Sequence, residues 1–398
     1  MGRPAITGIG QWPRTSRRAP LRVLLVIDEL DIGGTEQQIV ELVRSLPRTR
    51  YTPIVCCFRY GRKAAEIEQL GTRVVHLSKR GRADLGLVGR LVQLMRSERI
   101  DVVQTFLIGA NLWGRLAALI ARVPVVIASE RNVDVWEEPL KRGLGRLLLA
   151  FGTDRIVANA EAVRSYLIDR GAAPRRVVTI RNGVDMDRFA CALDVATLRR
   201  SLGLAADDQV AAVVARLEPQ KGHAVVLEAA AQLRDRFPRL RYLFVGGGSA
   251  ESAIRAEVAR RGLEDRVVFT GFRTDSADLI RAADFSILAS TKEGLSNTLL
   301  ESLAAGRPVI ASRVGGNAEV VSSDVGLLIP PRDPAALARA IAQLADDPTS
   351  AARMGEHGRE RAAQEFSVPR MAAETAALYE ELGRARRLSA TLECNAPS

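Results

Sequence analysis

The sequence predicts an α/β protein with two Rossmann-like domains, each built on a doubly wound parallel sheet. Short apolar runs with β-branched members, such as residues 22–28 (RVLLVID), alternate with helical patterns along most of the chain. The same alternation restarts at Gln209, after a polar stretch that lacks strong periodicity. A chain of 398 residues is too long for one ordinary core and suits two such domains.

The elements follow one another regularly in both halves. In the first half, further strand patterns are TPIVCCF, RVVHL, DVVQTF, PVVIAS, RIVANA and VVTIRNG, and helical patterns cover residues 36–46, 62–70, 84–98, 110–121, 137–151 and 160–170. In the second half, the strand patterns are VAAVVAR, RYLFVGGG, VVFTG, FSILAS, PVIAS and GLLIP, and helical patterns cover residues 223–236, 250–261, 275–282, 297–305, 333–345, 350–364 and 369–386. Strands that alternate with helices at this spacing indicate parallel sheets.

These patterns predict the domain boundaries. We expect a disordered basic arm at 1–20, a first domain at 21–190, a linker near 186–208, a second domain at 205–368 and a final helix at 369–386. In two-domain proteins of this type the final helix often crosses back to the first domain. Because functional loops follow the C-terminal ends of parallel strands, both domains should present theirs to a central cleft.

The positive charge of the chain is concentrated in its first half. The net charge is +11, and residues 1–190 contain 31 Lys and Arg against 19 Asp and Glu, whereas residues 191–398 contain 26 against 27. The excess predicts an anionic partner for the first domain, such as a phospholipid surface, a lipid-linked phosphate or an acidic glycan. The alternative is an Arg-rich composition with solvated charges. Nucleic acid is not expected, because aromatic residues make up 5% and form no basic stacking platform.

Composition also bears on the compartment. No apolar run approaches the ~18–20 residues of a membrane-spanning helix, and the basic arm has no apolar core of the kind found in secretory signals. Cys56 and Cys57 lie in an apolar strand, which favours buried thiols over a metal site. A cytoplasmic protein, peripheral on the inner face of the membrane, fits these features.

The most specific motif is TKEGLSNTLLESLAAGRPVIAS, residues 291–312. Glu293 precedes a helix expected to begin at Asn297, and Glu301 lies about one turn inside it, on the cleft side. Free backbone N–H groups at the start of that helix would face an anion. The carboxylate in the turn could accept hydrogen bonds from sugar hydroxyls, and the one in the helix could accept both hydroxyls of a ribose.

A second motif, VVARLEPQKGH at residues 213–223, places two cations after a strand and before a helix. Arg216 offers a bidentate fork and Lys221 a mobile point charge, which together suit a pyrophosphate. Two glycine clusters, Gly33–Gly34 and residues 246–248, also follow strands. Their spacing does not match a dinucleotide fingerprint, so close approach of a ligand and a plain tight turn both stay open.

Together these segments resemble the retaining glycosyltransferases of family 4, the group 1 family, which have the GT-B fold. The matching stretches cover nearly the whole chain in the family's order: GGTE (33–36), IRNGVDMDRF (180–189), ARLEPQKG (215–222), FVGGG (244–248), VVFTGF (267–272), EGLSNTLLESLAAGRPVIAS (293–312) and VGLLIPPRD (325–333). The pair of glutamates with Arg216 and Lys221 is the specific part of this resemblance.

The resemblance implies roles for individual residues. Arg216 and Lys221 would hold the donor diphosphate, Glu301 would bind the ribose, and Glu293 would contact the donor sugar, so Glu293, Arg216 and Lys221 would be catalytic. Further donor contacts would come from Gly34 near the phosphates, from Phe272 and Arg273 near the base, and from the 294–298 turn: Gly294, Leu295, Ser296, Asn297 and Thr298. No cofactor and no metal are expected, because the two cations and the helix dipole would replace a metal ion.

Two features depart from the family pattern or compete with it. Many members carry a His near the donor sugar after a strand of the first domain, where this chain reads Glu130, Arg131 and Asn132, so these three are candidate sugar or acceptor contacts. The segment Asp185–Met186–Asp187 has the D-x-D form of a metal–nucleotide motif found in the other major glycosyltransferase fold. Its position after Asn-Gly and before the linker favours helix capping.

The function implied by the resemblance is transfer of a sugar, with retention, from a nucleotide diphosphate sugar, expected to be a UDP-sugar. The acceptor would be a glycan or lipid-linked molecule, which suggests cell-envelope polysaccharide or glycolipid biosynthesis. Two alternatives remain open: a catalytically silent nucleotide-sugar-binding protein, and a nucleotide-sugar epimerase of the same fold.

Overall fold

The computed structural model describes residues 19–81, 84–132, 152–190 and 193–386. Within them, the first sheet has seven parallel strands in the order β3-β2-β1-β4-β5-β6-β7. In chain order, β1 to β7 span Leu21–Glu29, Tyr51–Arg59, Arg73–His76, Val102–Phe106, Val125–Glu130, Arg155–Ala158 and Val177–Thr179. The sheet forms because these runs are apolar on both faces and are covered by helices on both sides.

The second sheet has six parallel strands in the order β10-β9-β8-β11-β12-β13. In chain order, β8 to β13 span Gln209–Val214, Leu240–Val245, Val267–Gly271, Phe285–Leu288, Val309–Ser312 and Gly326–Ile329. In each sheet the strand order reverses once, between β1 and β4 in the first and between β8 and β11 in the second. Ligands of such sheets bind outside the C-terminal ends of the strands at this point.

Helices connect the strands in both domains. In the described part of the chain, α1 to α5 span Gly34–Ser45, Arg62–Gln69, Leu85–Ser97, Leu107–Ala121 and Glu161–Asp169. Further on, α6 to α14 span Val195–Ser201, His223–Leu233, Glu251–Arg260, Ser276–Ala282, Asn297–Ala304, Asn317–Val320, Pro334–Asp346, Pro348–Glu365 and Val368–Ala385. None of these helices is long and apolar enough to span a bilayer. The two Rossmann-like sheets predicted from the sequence are therefore confirmed.

The final helix, α14, crosses back to the first domain, as expected. Its apolar side joins the core cluster that contains β1 and β2. Tyr51 donates a hydrogen bond of 3.2 Å to the carbonyl of Ala376, and Tyr379 donates one to the Gln104 side chain. Where the chain crosses between domains, the Val184 N–H donates to the Phe366 carbonyl at 2.7 Å. The last helix is thus part of the first domain's core.

The segment expected to be a linker, near 186–208, is more structured than its sequence indicates. A 3-10 turn spans Met186–Phe189, and α6 follows. Each has an Asp cap: Asp185 accepts from the Asp187 N–H at 3.1 Å, and Asp194 accepts from the Thr197 N–H at 3.0 Å. These elements are too short for a periodic pattern, so only their caps could have indicated them. The capping role predicted for Asp185 is confirmed.

Some predictions fall outside the described residues. These are nearly all of the basic arm and the whole helical pattern at 137–151. Cys56 and Cys57 are described, and both are buried free thiols, as predicted.

Candidate functional site

The two sheets face each other across a cleft that is closed at several points. Gly294, in the loop before α10, lies so close to the first domain that a Cβ there would stand 2.1 Å from the Arg131 carbonyl oxygen. At the cleft mouth, the Arg62 guanidinium of the first domain lies 5.1 Å from the ring centre of Phe272 of the second. The loops that the sequence marked as functional therefore meet at this cleft.

Lys221 and Glu293 form an ion pair between two loops of the second domain. The Lys221 Nζ lies 2.6 Å from Glu293 Oε1, and both side chains are largely buried. Lys221 ends a short turn before α7, whereas Glu293 lies in the loop between β11 and α10. The structure brings them together because β8 and β11 are neighbours at the switch point of the sheet.

The turn that presents Lys221 depends on Gly222. This residue has φ of +73°, and a Cβ there would stand 2.0 Å from the carbonyl oxygen of Ala289. A side chain would be excluded by both the backbone conformation and the space.

Arg216 lies in the loop after β8, and its side chain is exposed. Within the described part of the chain, no hydrogen bond or ion pair restrains its guanidinium, which leaves it available for a ligand. The loop that carries Arg216 packs against the glycine cluster at 246–248. A Cβ at Gly246 would stand 2.2 Å from the Ala215 carbonyl, and one at Gly248 would stand 2.4 Å from that of Leu217. These two glycines thus serve the packing of the Arg216 loop.

Glu301 lies in the second turn of α10, as predicted. Its carboxylate is 3.5 Å from a guanidinium nitrogen of Arg188, which comes from the crossing segment between the domains. Burial raises the pKa of Glu301, while the positive charge of Arg188 opposes that shift. The Glu301 carboxylate is thus largely enclosed, and its contact with Arg188 is long and weak.

The start of α10 offers backbone donors. Ser296 is its N-cap residue and makes no side-chain capping hydrogen bond. The Thr298 hydroxyl donates to the Val214 carbonyl at 3.0 Å, and the Leu295 side chain is buried. Of the predicted contacts in this turn, Leu295 can therefore offer a ligand only its backbone, whereas the Thr298 hydroxyl can still accept a hydrogen bond.

Asn297 and Gly34 touch each other across the cleft. Asn297 Nδ2 donates a hydrogen bond of 2.9 Å to the Gly34 carbonyl. The group that approaches Gly34 closely is thus the Asn297 side chain of the second domain.

The two residues predicted to lie near the base follow β10. Phe272 is partly exposed under Arg62, and Arg273 pairs with Asp275 through Nε at 2.7 Å.

The three candidates that replace the family's His are placed differently. Glu130 accepts a hydrogen bond of 2.9 Å from Asn111, and its side chain points into the first domain beside the buried Arg115. Burial raises the pKa of Glu130 to about 7. Glu130 is the last residue of β5 and is almost fully buried, so a contact with a sugar would require its side chain to become accessible. Its role as a sugar or acceptor contact stays a prediction.

Arg131 lies at the cleft. Its Nη1 donates to Asn182 at 2.7 Å, and its guanidinium is 5.4 Å from the ring centre of Phe106. Burial lowers the pKa of Arg131 to about 10, and the negative charge of Glu36 opposes this. Asn132 is exposed beside it.

Sequence reasoning missed two carboxylates that lie between the domains. The Glu36 side chain folds back over Gly33, so that a Cβ at Gly33 would stand 2.2 Å from Glu36 Oε2. The positive charges of Arg131 and Arg216 both act on the Glu36 carboxylate. Glu319 of the second domain accepts hydrogen bonds from the first two N–H groups of α5, Glu161 at 3.0 Å and Ala162 at 2.8 Å. Glu36 belongs to the GGTE stretch, whereas nothing in the sequence around Glu319 indicated this contact.

Two family models match the chain in consecutive parts. Residues 32–188 match "Glycosyltransferase Family 4", and residues 194–361 match "Glycosyl transferases group 1". A 2-deoxystreptamine glucosyltransferase of Streptomyces kanamyceticus is 30% identical over 388 residues, which cover 92% of this chain and 99% of that protein. The chain therefore belongs to the group 1 glycosyltransferases, family 4.

Other relatives match over shorter or more divergent stretches. D-inositol 3-phosphate glycosyltransferase 2 of Catenulispora acidiphila is 38% identical over 255 residues, which cover 61% of this chain and 59% of that relative. Among solved structures, HepE of Anabaena in complex with UDP-glucose has a TM-score of 0.83 at 25% identity, with 91% of this chain and all of that one covered. The GT-B fold is thereby confirmed.

Proposed function

We propose that this protein is a retaining glycosyltransferase that moves a sugar from a UDP-sugar to an acceptor hydroxyl. The observation that carries the proposal is the Lys221–Glu293 ion pair between the loops that follow the neighbouring strands β8 and β11. Arg216 lies in the same loop as Lys221, and α10, which follows Glu293, begins without a side-chain cap. Two cations and free backbone donors suit a diphosphate, and the carboxylate suits sugar hydroxyls. HepE, crystallised with UDP-glucose and similar over its whole length, supports a uridine donor.

The Lys221–Glu293 pair suggests how the donor enters. In this structure each side chain neutralises the other. When a diphosphate arrives, it takes over Lys221, and the freed Glu293 carboxylate accepts hydrogen bonds from the sugar. The exchange limits the cost of desolvation, because neither buried charge is left without a partner.

The remaining donor contacts follow from position. The enclosed Glu301 carboxylate would accept the ribose hydroxyls, with Arg188 moving aside. Phe272 and Arg273 follow β10 and would lie near the base. Backbone N–H groups of the 294–298 turn would face the phosphates, and Arg131 with Asn132 would face the sugar or the acceptor from the first domain.

The proposed reaction proceeds without a metal. The bond between the anomeric carbon and the diphosphate oxygen breaks, and the acceptor oxygen bonds to that carbon on the same face. The proton of the acceptor hydroxyl passes to the departing phosphate oxygen. Arg216 and Lys221 stabilise the charge that develops on the diphosphate, which is the role a metal ion has elsewhere.

We propose an anionic acceptor for the first domain because of its positive excess. A glycan or lipid-linked phosphate acceptor would place the enzyme in cell-envelope polysaccharide or glycolipid biosynthesis. A second candidate acceptor is an inositol phosphate, which is favoured by the name of the Catenulispora relative. Both acceptors carry negative charge, so the charge distribution does not separate them.

A screen of nucleotide sugars against phosphorylated inositol and lipid-linked acceptors tests this function. We expect acceptor-dependent release of uridine diphosphate and a product with the anomeric configuration of the donor by NMR. Turnover should persist with excess EDTA. Binding of uridine diphosphate without turnover would instead indicate a silent binding protein, and an isomerised nucleotide sugar would indicate an epimerase. Loss of turnover in EDTA that magnesium or manganese restores would contradict metal independence.

We also propose that the first domain docks on an anionic membrane face. Arg62, Lys63, Lys79 and Arg80 lie on its surface, and only Lys63 of these four forms an ion pair within the described part of the chain, with Glu66. The segment 137–151 and Arg82, which belong to the same hypothesis, lie outside the described residues. Each well-placed cation contributes about 1 kcal/mol near an anionic surface, and salt screens it.

Co-sedimentation with liposomes tests the docking. We expect binding to phosphatidylserine vesicles at low salt, little binding at high salt and little to neutral vesicles. Equal and negligible binding to both vesicle types at low salt would show that the charge excess reflects composition.

A further inference from the structure

Three amide side chains join the two domains at the base of the cleft. We call them the amide cluster: Gln38 and Asn182 of the first domain and Asn297 of the second. Asn182 Nδ2 donates to Asn297 Oδ1 at 2.8 Å, and Gln38 Nε2 donates to the same oxygen at 3.3 Å. Gln38 and Asn182 are almost fully buried, at 3% and 4% exposure. Buried amides are retained only when their hydrogen bonds are made.

Main-chain partners fix the orientation of every amide in the cluster. Asn297 Nδ2 donates to the Gly34 carbonyl at 2.9 Å, and Asn182 Nδ2 donates to the Leu295 carbonyl at 3.0 Å. Gln38 Oε1 accepts from the Gly183 N–H at 2.8 Å. Because a carbonyl can only accept and an N–H can only donate, a flipped amide would break each of these contacts. The cluster therefore has one arrangement, and that arrangement requires the closed cleft.

The cluster also holds a side chain proposed to face the substrates. Asn182 Oδ1 accepts from Arg131 at 2.7 Å, so the chain of contacts runs from Arg131 through Asn182 and Asn297 to Gly34. It connects the first-domain loops on the acceptor side to the start of α10, where the donor phosphates would lie. Opening the cleft would break the contacts of Asn297 and free Arg131 from this restraint.

We propose that Gln38, Asn182 and Asn297 are positioning residues, which align Arg131 and the Gly33–Gly34 loop with the donor when the domains close. The proposal rests on the function proposed above, since it assigns these residues to alignment for sugar transfer. They do not touch the reacting atoms. Gln38 and Asn182 should affect transfer more than donor binding, because they belong to the first domain and the donor contacts lie mainly on the second.

Two Asn→Asp changes test the contacts of Asn297 and those of Asn182 separately, without changing the size of the side chain. Asn297→Asp can still accept from Asn182 and Gln38 but loses its donation to Gly34. Asn182→Asp can still accept from Arg131 but loses its donations to Leu295 and Asn297. We expect each to lower kcat by about 10²-fold, the typical cost of a misplacement of about 1 Å. For Asn182→Asp, which lies on the first domain, the Kd for uridine diphosphate should change by less than about threefold. Asn297→Asp places a negative charge at the start of α10, where the phosphates would lie, so its affinity for uridine diphosphate should also fall. Calorimetry measures the Kd, and steady-state kinetics measure kcat.

Gln209→Glu is the matched control. Gln209 Nε2 donates to the Ala345 carbonyl at 2.8 Å within the second domain, so this change removes the same kind of contact away from the cleft. Its kcat should stay near that of the wild type. Wild-type kcat in Asn297→Asp, or equal losses in kcat and in affinity for uridine diphosphate in Asn182→Asp, would overturn the proposal.

Small-angle scattering separates this proposal from the proposed function. With uridine diphosphate bound, Asn297→Asp should show a larger radius of gyration than the wild type, whether or not sugar transfer has been detected. An identical radius would contradict the role of the cluster in closure. A wild type that transfers no sugar from any donor would contradict the proposed function alone.

Discussion

Replacing Lys221 with alanine is expected to lower turnover by about 10²–10³-fold, and replacing Arg216 with alanine by a similar factor. Removing one donor from a preorganised anion site typically costs this much, because the charge that develops on the leaving diphosphate loses its partner. Lys221→Ala has a second effect, since it leaves the Glu293 carboxylate without its ion-pair partner. Steady-state kinetics with the identified donor provide the measurement.

The matched control is Arg236→Ala. Arg236 forms an exposed ion pair with Asp346 on the second domain, at 2.6 Å, and this pair contributes little to stability. Arg236→Ala should turn over like the wild type, and both it and Arg216→Ala should melt near the wild-type temperature. Lys221→Ala should melt at a lower temperature, because it leaves the largely buried Glu293 carboxylate unpaired. If either Lys221→Ala or Arg216→Ala kept more than about half of wild-type turnover, the assignment of both cations to the diphosphate would be wrong.

Gly294→Ala is expected to lower kcat by about 10²-fold through the closed cleft. A Cβ at this position would stand 2.1 Å from the Arg131 carbonyl oxygen and 2.9 Å from Asn159 Oδ1, both on the first domain. The methyl group would force the domains apart near the proposed reaction centre, and a displacement of about 1 Å is enough for such a loss. The closest of these atoms belong to the other domain, so the folding of the second domain should be little affected.

Gly89→Ala provides the comparison. Gly89 lies within α3, and a Cβ there would meet no atom within 4 Å. Alanine in an open helical position should be neutral for kcat and stabilising by about 0.5–1 kcal/mol. Thermal melts and kinetics of both variants measure the contrast. Wild-type kcat in Gly294→Ala would mean that sugar transfer does not need the closed arrangement seen here.

The sequence was sufficient for the architecture because parallel strands are buried on both faces. Residues 22–28 and their counterparts could be recognised as apolar runs, and the helices between them by their period. Sequence also indicated the last helix by its period, and its return to the first domain was expected because the last helix of such two-domain proteins often crosses back. It was insufficient for α6, which is only a turn or two long and whose Asp194 cap stands in a polar segment.

The candidate site was predictable where its residues follow strands within one domain. Arg216 and Glu293 follow β8 and β11, and the strand order brings these two strand ends together. Glu301 could be placed by helical period alone. The burial of Glu130 could not be predicted, because whether the last side chain of a strand turns inward or toward the cleft depends on packing with Asn111 and Arg115.

By itself, the sequence determined the two sheets, the chain order of the loops and the types of side chain on them. Local periodicity and strand-end chemistry carry that information, since both depend on near neighbours in the chain. Only the tertiary structure decided which distant groups meet: Lys221 with Glu293, Glu319 with the start of α5, and Asn182 with Asn297. These contacts depend on how the domains close, and closure is set by the sum of many weak contacts between surfaces that no local pattern encodes.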